Sequence, residues 1–288
     1  MKPIVSFVTF NRAGINAQNL TALLNTTDDF ELYIVDNNST DDTWAFIEQL
    51  DDERIKEKKR FDVNRGVVYA MNYVLSHRQQ EQYYVHIDSD VFLQSSDWLS
   101  QLLNLLKKDP ELGIASCVST NLFDLLNFHP PLTIKDDISY YKLNGTICCC
   151  VCFRPELLDI LGYWNEETCG ADMDLCARLD SYTPYKVGIL PSVIMNEPQT
   201  VPCEQCIMKE LCTCLQKNAT CFALYRSKYK HSEFSLRIKA RLPLYLEEVN
   251  SGKRTPYCAS VHDAESIRTH VYNKEWADEN FQFFIDNT

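Results

Sequence analysis

From Ile4 to Phe10 the chain is an apolar, β-branched run that stops at Asn11-Arg12, the pattern of a buried strand. The pattern recurs along the first hundred residues. Glu31 to Val35 ends at Asp36-Asn37-Asn38, Ile55 to Val63 at Asn64-Arg65, and Gln82 to Ile87 at Asp88-Ser89-Asp90. Between these runs the apolar positions change to spacings of three and four. Ser39 or Thr40 is expected to cap a helix reaching about Leu50, with Asp41 and Asp42 favourable in its first turn. Gly66 to His77 reads as a helix burying Val67, Met71, Val74 and Leu75. Ser96 should cap a helix from Asp97 to Lys107 with a stripe of Leu99, Leu102, Leu103 and Leu106. Strand–helix alternation of this kind predicts an α/β fold, a mostly parallel, twisted sheet with helices on both faces.

Beyond Ser119 the pattern loosens. Residues 121 to 140, with His129-Pro130-Pro131, read as a loop; a Cys-rich strand from Ile147 to Phe153 and a short helix from Pro155 follow. A loop through Trp164 to Ala171 leads to a helix from Asp172 and a strand from Lys186 to Met195. Near Pro198 the composition shifts. The expectation is one domain over residues 1–199 and, over 200–288, a Cys-rich, basic segment with a helical C-terminal extension.

Composition narrows the class. Of 288 residues, 45% are hydrophobic and 24% charged, enough apolar surface for a sizeable core. Forty acidic against 28 basic residues give a net charge of −12, the wrong sign for a nucleic-acid binder. No window reaches the ~18 apolar residues of a membrane span. The apolar start meets Asn11-Arg12 too early for a signal peptide. A soluble, cytoplasmic chain is expected, in which thirteen cysteines stay reduced. Cys148, Cys149, Cys150 and Cys152 read as small core hydrophobes. Cys203, Cys206, Cys212 and Cys214 place four thiols in twelve residues and could ligate zinc or an iron–sulfur cluster, or be reduced structural thiols.

Ligands of open α/β sheets bind at the carboxyl ends of the strands, and here four such ends carry polar residues. In Asp88-Ser89-Asp90 the carboxylates at i and i+2 project to one side of an extended chain, suited to one divalent ion and its phosphates. Hard oxygen ligands favour Mg2+ or Mn2+ over zinc. Asp36 can accept from a base N–H or a ribose hydroxyl, with Thr9, Asn11 and Arg12 as the facing wall. Asp172 opens a helix, where a carboxylate is favoured in its charged form and suits a general base, or only a cap. Asp174 and Arg178, four apart, also fit a simple ion pair.

Together these residues resemble the family 2 glycosyltransferases of GT-A fold. The matching stretches are Val8-Thr9-Phe10-Asn11-Arg12, Val35 to Asp41, Asn64-Arg65-Gly66 with Ala70 and Asn72, Asp88-Ser89-Asp90, and Asp172-Met173-Asp174-Leu175, in family order across residues 3 to 196. The resemblance implies that Asp36 binds the nucleotide base, Asp88 serves ribose and metal, Asp90 is the direct metal ligand, and Asp172 is the base of an inverting transfer. It adds Thr9, Asn11, Arg12, Asn64, Arg65, Gly66, Ser89, Trp164 and Asp174 to the substrate-binding set. It also implies a nucleotide-sugar donor, by family frequency a uridine one such as UDP-GlcNAc or a UDP-hexose, and Mn2+ or Mg2+.

Two positions depart from the family pattern. Ala171 stands where an acidic residue often precedes the base, and Met195-Asn196 where a histidine often follows, leaving Asn196 as a neutral oxygen ligand. The Gln-x-x-Arg-Trp element of processive synthases is absent, so single-sugar transfer is expected, to a glycan, protein or lipid-linked saccharide. Six basic residues against Glu233 between 226 and 241 suggest a cover for the diphosphate or a peripheral membrane contact. The rival readings are a non-catalytic sugar-nucleotide or glycan-binding relative, and a zinc or iron–sulfur regulatory protein built on the Cys203–Cys214 cluster.

Overall fold

The computed structural model describes residues 1–119, 123, 127–145, 149–196, 202–206, 208–212 and 233–287. The apolar runs form strands β1 (Ile4–Thr9), β2 (Glu31–Asp36), β3 (Ile55–Arg60) and β4 (Tyr84–Asp88). These lie parallel in the order β3-β2-β1-β4. The sheet continues through β9 (Cys150–Phe153), β6 (Leu112–Ser116), β10 (Lys186–Ile189), β8 (Ile138–Leu143) and β7 (Leu132–Lys135), nine strands among the described residues. Strand β9 runs antiparallel to both β4 and β6, while β6 and β10 are parallel. Cys149, Cys150 and Cys152 are buried in its core as small hydrophobes; Cys148 lies outside the described residues.

Helices α1 (Ala13–Leu24), α2 (Thr43–Gln49), α3 (Val67–Leu75) and α4 (Trp98–Lys108) connect these strands. The expected caps, Ser39 or Thr40 for α2 and Ser96 for α4, give way to other arrangements. Ser39 turns back to Asp36 rather than opening α2. Helix α4 is capped from a distant loop: the buried Asp28 accepts from the backbone N–H groups of Leu99 at 2.8 Å and Ser100 at 3.0 Å. That satisfies two of the donors a helix start leaves open. Asp28→Ala is therefore expected to cost about 1–2 kcal/mol. Urea unfolding should show a lower midpoint at unchanged slope, and an unmoved midpoint would remove Asp28 as the cap.

Two expectations are corrected here. The segment expected as a loop over 121–140 contains most of the β7–β8 hairpin, closed at Asp136-Asp137 with Lys135 opposite Ile138. Burial drives it: the Tyr140 side chain is enclosed, and its hydroxyl donates to the equally buried Asp109. Burial alone would raise the Asp109 carboxyl, but hydrogen bonds from Tyr140 and Lys135 bring it down to about 2. The single strand expected from Lys186 to Met195 is two. After β10 the chain turns at Pro191, and β11 (Met195–Asn196) pairs with the short β5 (Phe92–Leu93) in a separate ribbon.

After α5 (Pro155–Leu161) and α6 (Ala171–Tyr182) come the C-terminal helices α7 (Glu233–Asn250), α8 (Ala264–Thr269) and α9 (Lys274–Asp286). Cys258 exchanges backbone hydrogen bonds with Leu161 and Tyr163 at 2.9 Å, joining this region to the end of α5. No helix among the described residues is long and apolar enough to cross a membrane.

Candidate active site

Strand register sets the site. Thr9 lies beside Asp36, and Val8 beside Asp88, so the polar ends of β1, β2 and β4 share one edge of the sheet. Thr9 Oγ1 is buried there with no hydrogen-bond partner among the described residues. The chain then leaves β1 through Asn11 and Arg12, both in the left-handed region at φ 57° and 66°. Neither is glycine, and such conformations persist only where the surroundings hold them. Asn11 N–H donates to Ser39 Oγ at 2.7 Å, its side-chain oxygen accepts from Thr40 N–H at 2.9 Å, and its carbonyl accepts from Asn16.

Asp36 is fully enclosed. Its two oxygens accept from Ser39 N–H at 3.1 and 3.2 Å and from the Ser39 hydroxyl, while Arg60 Nε lies 3.4 Å away. Burial pushes its carboxyl up, against the pull of Ser39 and Arg60. Next to this turn, Asn37 Oδ1 accepts from Arg65 N–H at 3.3 Å and Asn64 Oδ1 from Gly66 N–H at 2.8 Å. Gly66 is required twice over. Its φ is 89°, and a Cβ there would lie 2.4 Å from the Phe284 ring of α9. The C-terminal helix thus reaches the Asn64-Arg65-Gly66 corner.

Asp88 and Asp90 stand at the end of β4. His86 Nε2 is 3.0 Å from Asp88 Oδ1, and Arg12 Nη1 is 3.2 Å from Asp90 Oδ2. Asn19 holds the Ser89 carbonyl at 2.6 Å. Burial raises the Asp88 carboxyl, His86 opposes this, and the charges of Asp90 and Asp172 raise it further. Asp172, half-buried in the first turn of α6, is thus close enough for its charge to be felt at Asp88. The β5–β11 pairing sets Asn196 opposite Phe92, two residues past Asp90.

The donor set fits a hard divalent ion. Among the described residues no three His, Cys, Asp or Glu side chains gather to hold a metal alone. An ion such as Mg2+ keeps several waters and takes phosphate oxygens, so one or two protein carboxylates suffice. Asp88 and Asp90, with the Asn196 amide one strand away, offer those oxygens.

Two expected contacts lie elsewhere. Trp164 is buried against Phe153 and His86, at ring distances of 5.5 and 6.2 Å, and presents no face for a sugar. Asp174 is fully enclosed, accepting from Asn165 Nδ2 at 2.8 Å and Arg178 Nε at 2.7 Å. Its partner Arg178 is equally buried, so this is a core pair and not a surface one. Of the two readings of the Cys203–Cys214 cluster, a zinc or iron–sulfur site finds no support among the described residues. Cys206 packs with Ile15 and Met208, burial raises its thiol, and Cys214 lies outside the described residues. Of the basic run, Arg226, Lys228 and Lys230 also lie outside them, while Arg237 and Arg241 bind the backbone of α9.

Sequence reasoning missed His86 and Arg60. His86 precedes Asp88 by two, on the same face of β4, so strand periodicity marks it. Nothing local marks Arg60, whose link to Asp36 depends on the β2–β3 register.

The family profile described as Glycosyl transferase family 2 matches residues 5–161. Among solved structures, the chain is similar to the mannosyltransferase PcManGT from Pyrobaculum calidifontis in complex with GDP-Man and Mn2+. They share 20% identity and a TM-score of 0.50, over 65% of this chain and 56% of that one. It is also similar to GalNAc-T7 with UDP, GalNAc and Mn2+, at 10% identity and a TM-score of 0.54, over 68% and 44% of the two chains. The chain therefore spans about half the length of these solved relatives. No curated protein matches it by sequence. The fold is the GT-A glycosyltransferase fold. With the profile covering more than half of its residues, the chain belongs to glycosyl transferase family 2.

Proposed function

We propose that the chain is an inverting glycosyltransferase that moves one sugar from a nucleotide-diphosphate sugar to an acceptor hydroxyl. A uridine donor such as UDP-GlcNAc or a UDP-hexose is the first candidate, and the acceptor is a glycan, a protein or a lipid-linked saccharide. The observation that carries this reading is the alignment of Asp36 and Asp88 on one sheet edge, with Asp90 and Asp172 in electrostatic reach of Asp88. Family membership supports it, as does the Mn2+ named with both solved relatives.

In this reading the Asn37–Asn64 corner receives the nucleoside, and the Ser39 hydroxyl swings off the enclosed Asp36 oxygen so that the base can take its place beside Thr9. Asp90, Asp88 and Asn196 would hold Mn2+ or Mg2+, and that ion would offset the charge growing on the diphosphate leaving group. His86 fixes the Asp88 carboxylate by its hydrogen bond. Asp172 takes the acceptor hydroxyl proton as that oxygen attacks the anomeric carbon opposite the leaving group. One base and no enzyme nucleophile make a single displacement, which inverts the centre.

A panel of nucleotide sugars incubated with Mn2+, followed by nucleotide-diphosphate release, tests the proposal. One donor should be turned over, with at least about a hundredfold loss in Asp90→Ala. Neither binding nor release with any donor would overturn it. The Arg12–Asp90 ion pair favours a second reading, a non-catalytic binder of the same nucleotide, because the guanidinium already neutralises Asp90. Metal-independent binding without turnover of any donor would decide for that reading.

A further inference from the structure

We infer that the C-terminal region acts on the reaction at one remove: Arg254, Tyr272 and Asn280 are positioning residues that hold the loop leading into Asp172 at the start of α6. The inference rests on the proposed role of Asp172 as base.

The loop from Asn165 to Thr168 is buried throughout, including two successive carboxylates, Glu166 and Glu167. Enclosed carboxylates are costly unless fully hydrogen-bonded or paired, and enclosure keeps both away from an acceptor. Their partners come mainly from the far end of the chain. Glu166 Oε1 accepts from Asn72 at 2.8 Å and the Ser260 hydroxyl at 2.6 Å, and Oε2 from the Tyr272 hydroxyl at 2.7 Å and Val261 N–H at 3.1 Å. Both Glu167 oxygens accept from Arg254 Nη1 at 2.9 Å, and Arg254 is held in turn by Glu248 at 2.7 Å. Asn280 Nδ2 donates to the backbone carbonyls of Glu166 and Glu167, each at 2.8 Å.

Past this anchored loop the backbone is unusual. Cys169 and Ala171, on either side of Gly170 and directly before Asp172, sit at φ 50° and 37°. Non-glycine residues keep such angles only where their surroundings over-determine them. On the helix side, a Cβ at Gly170 would lie 3.3 Å from Ile238 of α7, and Arg178, further along α6, donates to Pro256 O at 3.3 Å. Asp172 is thus bracketed by the C-terminal region before and after it. The family profile ends at residue 161, so this bracket lies outside the matched stretch.

The test compares Arg254→Met and Tyr272→Phe with the parent protein in the full chain. Turnover is measured with the donor found active, nucleotide-diphosphate affinity by calorimetry, and hydrogen exchange over residues 164–173. Turnover should fall about tenfold to a hundredfold, the cost of a slightly misplaced group, with nucleotide affinity within about twofold. Exchange should quicken about tenfold in that loop and stay unchanged in β1 and β2. Arg254→Lys should recover part of the turnover. Asp172→Ala combined with Arg254→Met should be no slower than Asp172→Ala alone, since the tether acts through Asp172. Unchanged exchange in both folded variants, or additive losses in the double variant, would overturn the inference. Should Arg254→Met not fold, Tyr272→Phe deletes a single hydroxyl and carries the same readouts. Should Asp172→Ala leave turnover intact, the proposed base falls, while the exchange measurement still decides the tether.

Discussion

Asp172→Asn is expected to lower sugar transfer by about a thousandfold while leaving nucleotide-diphosphate affinity unchanged, because a positioned general base contributes about 10²–10⁴ in rate. The amide keeps the size and hydrogen-bonding reach of the carboxylate at the start of α6 but cannot take the acceptor proton. The loss should appear in kcat with donor KM nearly constant, the signature of an interaction made only in the transition state. It should differ from Asp90→Ala, which removes the proposed metal ligand and is expected to weaken nucleotide binding measured in Mn2+. A loss below about tenfold would assign the proton to another group.

The second large effect is on stability. Arg178 is fully buried; it pairs with Asp174 and donates to the carbonyls of Leu161, Tyr163 and Pro256. Arg178→Met strands the Asp174 charge and leaves those carbonyls short of donors. Breaking a buried pair on one side costs about 3–5 kcal/mol, and urea unfolding should show it. Asp174→Leu with Arg178→Met, which removes both charges, should recover much of that loss. The exposed pair Arg268–Glu265 is the contrast: Arg268→Met should leave the unfolding midpoint unmoved, since exposed pairs contribute little. A loss below about 1 kcal/mol for Arg178→Met would mean that the pair is hydrated.

Legibility followed the range of the interactions. The strands of the first ninety residues were readable because each apolar run ends in a polar cluster, and those clusters are the ends that the register of β1, β2 and β4 aligns. The proposed Asp36, Asp88, Asp90 and Asp172 stand at or next to those ends or at a helix start, where local pattern is informative. The failures are non-local. Ser96 looked like the cap of α4, yet the cap is Asp28, about seventy residues away in sequence and adjacent only in the fold. The β7–β8 hairpin follows two prolines and alternates over only a few residues; Asp109 makes it a hairpin by gathering Tyr140, Lys135 and Lys142. Asp174 and Arg178 show the limit of spacing, since a separation of four fits a surface pair and a buried one equally. Nothing local marks Glu166 and Glu167 in the loop after Trp164, and only the partners contributed by residues 254–280 show why two adjacent acids are enclosed.

The central claim is a metal-assisted, single-displacement transfer with Asp172 as the only base, and stereochemistry tests it most directly. The donor that is turned over would be incubated with Mn2+ and the sugar released to water followed by NMR before mutarotation. The expected first product has the anomeric configuration opposite to the donor's, and its formation is lost in Asp172→Asn. A first product that keeps the donor's configuration, or one formed at the parent rate by Asp172→Asn, would contradict the claim.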